Sequence, residues 1–118
     1  EELMDFIEMY KNSYQEKGKL WKKLNIAGPM REKADKDILK AALKITLESQ
    51  AVFCIELILD WLYLADLFKG DPRQYRINTP GTINAQNWSL VIPVSLEELF
   101  ENEVTAEIRD MLASSGRV

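Results

Sequence analysis

Apolar residues recur at intervals of three and four along most of this chain, the spacing that places them on one face of a helix. Leu3, Phe6, Ile7, Tyr10 and Tyr14 follow it with Glu and Lys between them, so residues 2–17 read as an amphipathic helix stopped by Gly18. Leu20, Trp21 and Leu24 extend the stripe for a turn or two before Ala27-Gly28-Pro29 breaks it, and residues 25–34 read as a loop. Asp35 is placed to cap a helix in which Ile38, Leu39, Ala42, Leu43, Ile45 and Leu47 face inward while Lys36, Lys40, Lys44 and Glu48 stay outside. From Val52 to Leu59 the apolar residues fall on both parities, which suits either a strand buried on both faces or the middle of a buried helix. Asp60 to Phe68 reads as helix again, with Gly70 just past its end. Residues 70–93 lose the helical period to Gly, Pro, Asn and Thr. Tyr75, Ile77, Ile83, Trp88, Leu90 and Ile92 nevertheless give this stretch the apolar mass of an ordered loop. Ser95 with Glu98 forms a capping-box pattern, and a last helix over about 103–114 puts Val104, Ile108, Met111 and Leu112 on one face before Gly116.

With 118 residues, 47% of them hydrophobic, the chain is the size of one domain with a modest core, and residues 1–118 are read as that single domain. It opens on Glu1 with the apolar pattern already running at Leu3, so it is expected to be a piece of a longer polypeptide. Nineteen acidic residues against fifteen basic ones give a net charge of −4, and the lysines are interspersed with acids, which argues against nucleic acid as a partner. The greasiest stretch, Ala51 to Phe68, carries Glu56, Asp60 and Asp66, a charge density that argues against a membrane span. Cys54, the one cysteine, lies in an apolar run and reads as an inert core thiol. The absence of a disulfide framework suits the cytoplasm, which is the expected compartment.

The chain has no histidine, which removes Ser-His-Asp triads, Cys-His pairs and the usual zinc sites. Its five glycines build no phosphate loop, so neither metal nor cofactor is expected. Carboxylates remain as catalytic tools, with Glu56, Asp60 and Asp66 as candidates. A carboxylate in an apolar stretch must be paired, hydrogen-bonded or protonated. Asp60 is thus either a site residue at the end of a buried strand or the N-cap of the next helix, and Glu56 is partly exposed or salt-bridged. The run Glu97, Glu98, Glu101, Glu103, Glu107 reads as a solvated face. The most informative segment is Arg76-Ile77-Asn78-Thr79-Pro80-Gly81-Thr82 followed by Asn87-Trp88-Ser89. An aromatic ring flanked by amides and hydroxyls suits a sugar: the ring covers the apolar C–H face of a pyranose while the amides bond its hydroxyls. The alternative is a loop pinned to the core by Trp88, with Asn78 and Asn87 serving its turns.

This segment resembles the C-terminal end of the 4-α-glucanotransferases, the amylomaltases or disproportionating enzymes, within the wider α-amylase superfamily. In that family the final barrel strand runs into a Gln-Asp pair and a short leucine-rich helix, followed by an Arg-x-Asn-x-Pro-Gly loop and an Asn-Trp. The matching blocks are Leu59-Asp60-Trp61-Leu62-Tyr63-Leu64, then Arg76 to Thr82, then Asn87-Trp88-Ser89, with a terminal helix ending Ser114-Ser115-Gly116-Arg117, in order over about residues 36–117. Residues 1–35 carry no motif of the family. Three positions depart from it: Leu59 stands where Gln is usual, and Leu90-Val91 where Trp-Arg is usual.

The resemblance implies a (β/α)₈ enzyme that cuts an α-1,4-glucosidic bond, keeps the sugar as a covalent glycosyl-enzyme and passes it to another glucan with retention. All three catalytic carboxylates would lie upstream of the matched region, so none is in this chain. It also implies that residues 55–60 are the eighth barrel strand, which puts Asp60, Asn78, Asn87 and Trp88 at the rim of the glucan cleft. The fold class expected of the chain by itself is mainly α, a small helical bundle with a Pro/Gly-rich loop or a short β excursion near 74–93. A lone barrel strand leaves its backbone edges unpaired, so residues 52–68 are expected to be helical here, or the chain to dimerise. The rival functions are a non-enzymatic helical module for protein interaction and part of a hydrolytic α-amylase relative.

Overall fold

The computed structural model describes residues 3–13, 16–69 and 72–117. The described residues form six helices: α1 (Leu3–Asn12), α2 (Lys17–Leu24), α3 (Lys36–Leu47), α4 (Ile58–Leu64), α5 (Leu96–Glu101) and α6 (Glu103–Ser114), with a 3₁₀ turn at Pro72–Tyr75 and no β-strand. The mainly helical expectation holds, and the excursion at 74–93 is loop.

The bundle is organised around α3 because that helix is apolar on two adjoining faces. Leu39, Leu43 and Leu47, four residues apart, meet Trp61 of α4 and Val104 and Met111 of α6 in one buried cluster. Ile38, with Ala41, Ala42 and Ile45 beside it, meets Tyr10 of α1 and Trp21 and Leu24 of α2 in a second. Each cluster excludes water from one side of the same helix, so α3 is the element that neither half can lose.

The first two helices differ from the sequence reading. The expected single helix over 2–17 ends at Asn12, because the Ser13 hydroxyl and backbone N–H both donate to the Tyr10 carbonyl and close a turn there. Gly18 stops nothing: it lies inside α2, whose Trp21 and Leu24 are buried. Tyr14 lies outside the described residues. The 25–34 loop is held from below. The buried Lys17 ammonium donates to the Glu32 carbonyl and carboxylate, each at 3.2 Å, and lies 5.4 Å from the Tyr10 ring centroid, while the Tyr10 hydroxyl donates to the Arg31 carbonyl at 2.6 Å.

Asp35 caps α3 as expected, accepting from the Ile38 N–H at 3.1 Å, and Arg31 donates to the same carboxylate at 2.5 Å. Burial acts to raise the Asp35 pKa, but those two donors outweigh it and hold the group below the usual carboxylate range. A lowered folded-state pKa stabilises the fold above the unfolded-state value and loses that contribution as pH falls through the folded value. Asp35→Ala is therefore expected to cost about 1 kcal/mol at neutral pH, measured by urea unfolding, and progressively less in acid as wild type loses the same bond.

The largest difference lies between α3 and α4. Residues 51–57 are neither strand nor helix, and Val52, Phe53 and Ile55 are 86%, 83% and 91% exposed. The apolar run that predicted burial finds no neighbouring strand among the described residues, and of residues 52–55 only Cys54 packs against the helices. Helix resumes only at Ile58, so the helical expectation for 52–68 is met over 58–64 alone. Cys54 is half-buried beside Leu47, Ile58 and Trp61 rather than sealed in the core. Glu56 accepts from the Thr46 hydroxyl. Asp60 is not the N-cap, which is Leu57; it lies in the first turn of α4, buried, where the positive end of the helix dipole favours a carboxylate.

Both α4 and α6 end in Schellman motifs. In α4 the left-handed residue is Asp66, with Leu67 N–H bonded to the Leu62 carbonyl. In α6 it is Gly116, with Arg117 N–H bonded to that of Leu112. The capping box is present: Ser95 accepts from Glu98 N–H, and Glu98 accepts from Ser95 N–H at 2.8 Å, which holds the Glu98 carboxyl below its usual range. No helix among the described residues is long and apolar enough to cross a membrane.

Candidate functional site

The segment singled out in the sequence is a loop built almost entirely from its own polar side chains. Thr79-Pro80-Gly81-Thr82 makes a β-turn closed by Thr82 N–H to the Thr79 carbonyl at 3.2 Å. Proline presets the first central residue and Gly81, at φ +79°, takes the left-handed second one. Asn84 then organises the return: its side-chain oxygen accepts from the N–H groups of Gln86 and Asn87 at 2.9 and 3.1 Å. Asn87 ties the two arms together. Its oxygen accepts from Thr79 N–H at 3.0 Å, and its amide donates to the Thr82 carbonyl at 2.9 Å.

Next to Asn87, Trp88 adopts a left-handed backbone at φ +65°, unusual for so large a residue, and its N–H donates to the Ile77 carbonyl at 2.7 Å. Its side chain stays in water, 77% exposed. Trp88 thus does not pin the loop to the core. That role falls to Tyr75, whose ring stacks on Phe68 at 4.4 Å between centroids and whose hydroxyl bonds the backbone of Lys69. The loop encloses an open concavity of about 510 Å³ walled by Gln74, Arg76, Thr79, Asn84, Gln86 and Asn87, a lining of amides, a hydroxyl and one guanidinium.

The four candidate residues separate into three settings. Asn87 lines the concavity, its amide engaged in holding the loop's shape, while Trp88, next to it in the loop, is exposed and is not part of the concavity wall. Asn78 is half-buried and is not part of the concavity wall. Asp60, only 6% exposed, is on α4 and is not part of the concavity wall. Gln74, Asn84 and Gln86 were not picked out from the sequence. The Asn84-Ala85-Gln86-Asn87 spacing, an Asx-type turn, was the signal available for two of them.

Comparison with known proteins bears on the family of the chain rather than on this concavity. The family model described as 4-alpha-glucanotransferase matches residues 2–95. The chain belongs to the 4-alpha-glucanotransferase family. The match takes in α1 and α2, the region that carried no recognisable motif. A 4-alpha-glucanotransferase of Chlamydia pneumoniae is 48% identical over 58 residues, covering 48% of this chain and 11% of the relative. One of Chlamydia muridarum is 38% identical over 76 residues, 64% of this chain and 14% of the relative. One of Chlamydia trachomatis is 43% identical over 58 residues, 48% of this chain and 11% of the relative. The aligned part of this 4-alpha-glucanotransferase family member thus spans no more than about a seventh of the length of these relatives. No solved structure matches the chain.

Proposed function

We propose that this chain is the C-terminal part of a cytoplasmic, retaining 4-α-glucanotransferase acting on α-1,4-glucans, with residues 1–118 as one domain, and that the 76–89 loop contributes to glucan binding. The observation that carries it is the pairing of an exposed tryptophan with a concavity lined by amides, on the segment that matches the family. Trp88 would cover the C–H face of a glucose unit, Asn78 would reach its hydroxyls, and Asn87 would keep the loop in shape. Asp60, buried in α4, would support that frame from inside. Retention by double displacement needs two carboxyl groups about 5–5.5 Å apart. These are assigned to segments outside this chain.

Incubating the native gene product with maltotriose tests the reaction class. Longer maltodextrins are expected; glucose and maltose alone would make it a hydrolase, and an inert product would overturn the glucan assignment. Binding is tested on this chain by following tryptophan emission against maltoheptaose. Trp21 and Trp61 are buried and Trp88 is exposed, so Trp88 is expected to carry the response. Trp88→Ala, which removes that signal and is read by calorimetric titration instead, is expected to weaken binding about tenfold, the loss that follows from about 1.4 kcal/mol of stacking. Unchanged affinity in a folded variant would remove Trp88 from the site.

A further inference from the structure

The 76–89 loop shapes itself internally, which leaves open what fixes it to the bundle. One tie is the stack of Tyr75 on Phe68. Another crosses from the far end of the sequence: the Arg76 Nη2 donates to Asp5 Oδ1 of α1 at 2.5 Å, with the two side chains 36% and 46% exposed. A charge-assisted bond of this length between partly covered groups is directional as well as attractive. At its other end α1 is held by Tyr10, fully buried against α3, so Asp5 is mounted on a rigid element. Arg76 in turn is adjacent to Ile77, whose carbonyl receives the Trp88 N–H, and its own side chain walls the concavity.

We infer that Asp5 is a positioning residue for the loop: by holding Arg76 it fixes the Ile77 carbonyl, and through it the left-handed backbone of Trp88. The consequence for ligand affinity rests on the glucan-binding assignment above; the consequence for loop order does not. The pair lies 71 residues apart in sequence, and no residue of α1 is part of the concavity wall.

The test compares wild type with Asp5→Asn, which keeps the shape and removes the charge, and Asp5→Glu, which keeps the charge. Backbone amide exchange is read at Trp88, with the amides of Tyr10 and Leu39 as controls for general unfolding. In Asp5→Asn the Trp88 amide is expected to exchange about three- to fivefold faster, the effect of a partly exposed ion pair, while the controls hold and Asp5→Glu recovers part of the loss. The maltoheptaose dissociation constant is expected to rise by a similar factor. Unchanged Trp88 exchange in Asp5→Asn would overturn the inference. Faster exchange with unchanged affinity would overturn the role in ligand positioning. If wild type binds no maltoheptaose, the glucan assignment falls and Trp88 exchange alone decides whether Asp5 anchors the loop. Should Asp5→Asn lose its fold, Arg76→Lys, which keeps the charge and loses the planar fork, is read in the same way.

Discussion

Trp61→Ala is expected to cost about 3–5 kcal/mol and to leave the chain largely unfolded at physiological temperature. Trp61 is the contribution of α4 to the cluster formed with Leu39, Leu43, Leu47, Val104 and Met111. Its ring packs with residues of both α3 and α6, so its removal opens a cavity at the junction of three helices. Domains of this size are stable by only about 5–15 kcal/mol in total, and a short helix such as α4, seven residues long, does not persist without tertiary contacts. Urea unfolding followed by circular dichroism would show a midpoint shift at nearly constant slope. A loss under about 1 kcal/mol would mean that the cluster closes around the gap.

Arg117→Ala is expected to be the second most damaging change, at about 2–3 kcal/mol, although the residue is near the end of the chain and outside both clusters. Its guanidinium donates to the carbonyls of Leu47, Ser49 at 2.9 Å and Ala51 at 3.1 Å, and to the Ser49 hydroxyl at 3.3 Å. The Leu47 carbonyl is one that the end of α3 leaves unsatisfied, those of Ser49 and Ala51 belong to the chain just past it, and a cation there also suits the negative end of the helix dipole. Hydrogen bonds from a charged donor contribute about 1.5–3 kcal/mol, so losing one such set is a large fraction of the total stability. Arg117→Lys, with one ammonium in place of a five-donor fork, is expected to recover less than half. If Arg117→Ala unfolded at the wild-type urea concentration, the clamp would be a surface decoration.

Local rules made much of this structure legible. Asp35 before an amphipathic run, Ser95 with Glu98 three residues on, and Val104 to Leu112 followed by Gly116 each predicted a boundary that the structure keeps, because each cap is decided by residues within one turn. Gly18 misled because a glycine can end a helix or ride inside one, and the choice was made by Trp21 and Leu24, which have α3 to pack on. Residues 51–57 misled for a related reason: composition measures how much Val52, Phe53 and Ile55 gain from burial, but not whether anything is there to bury them. In the site, the amide-rich loop and Trp88 were visible as types of residue. The left-handed turn at Trp88 and the bond between Arg76 and Asp5 were not, since the first is imposed by the loop's closure and the second joins positions with no local relation.

The bare stretch between α3 and α4 also governs how the molecules treat one another. Val52, Phe53 and Ile55 form a short uncharged ribbon with open peptide groups, the kind of surface on which copies of a chain stack into insoluble matter. Glu48 and Glu56 bracket that ribbon, so stacking in register brings like charges face to face at both ends. Salt, which shortens electrostatic reach to about 8 Å at physiological strength and about 3 Å at 1 M, weakens that repulsion.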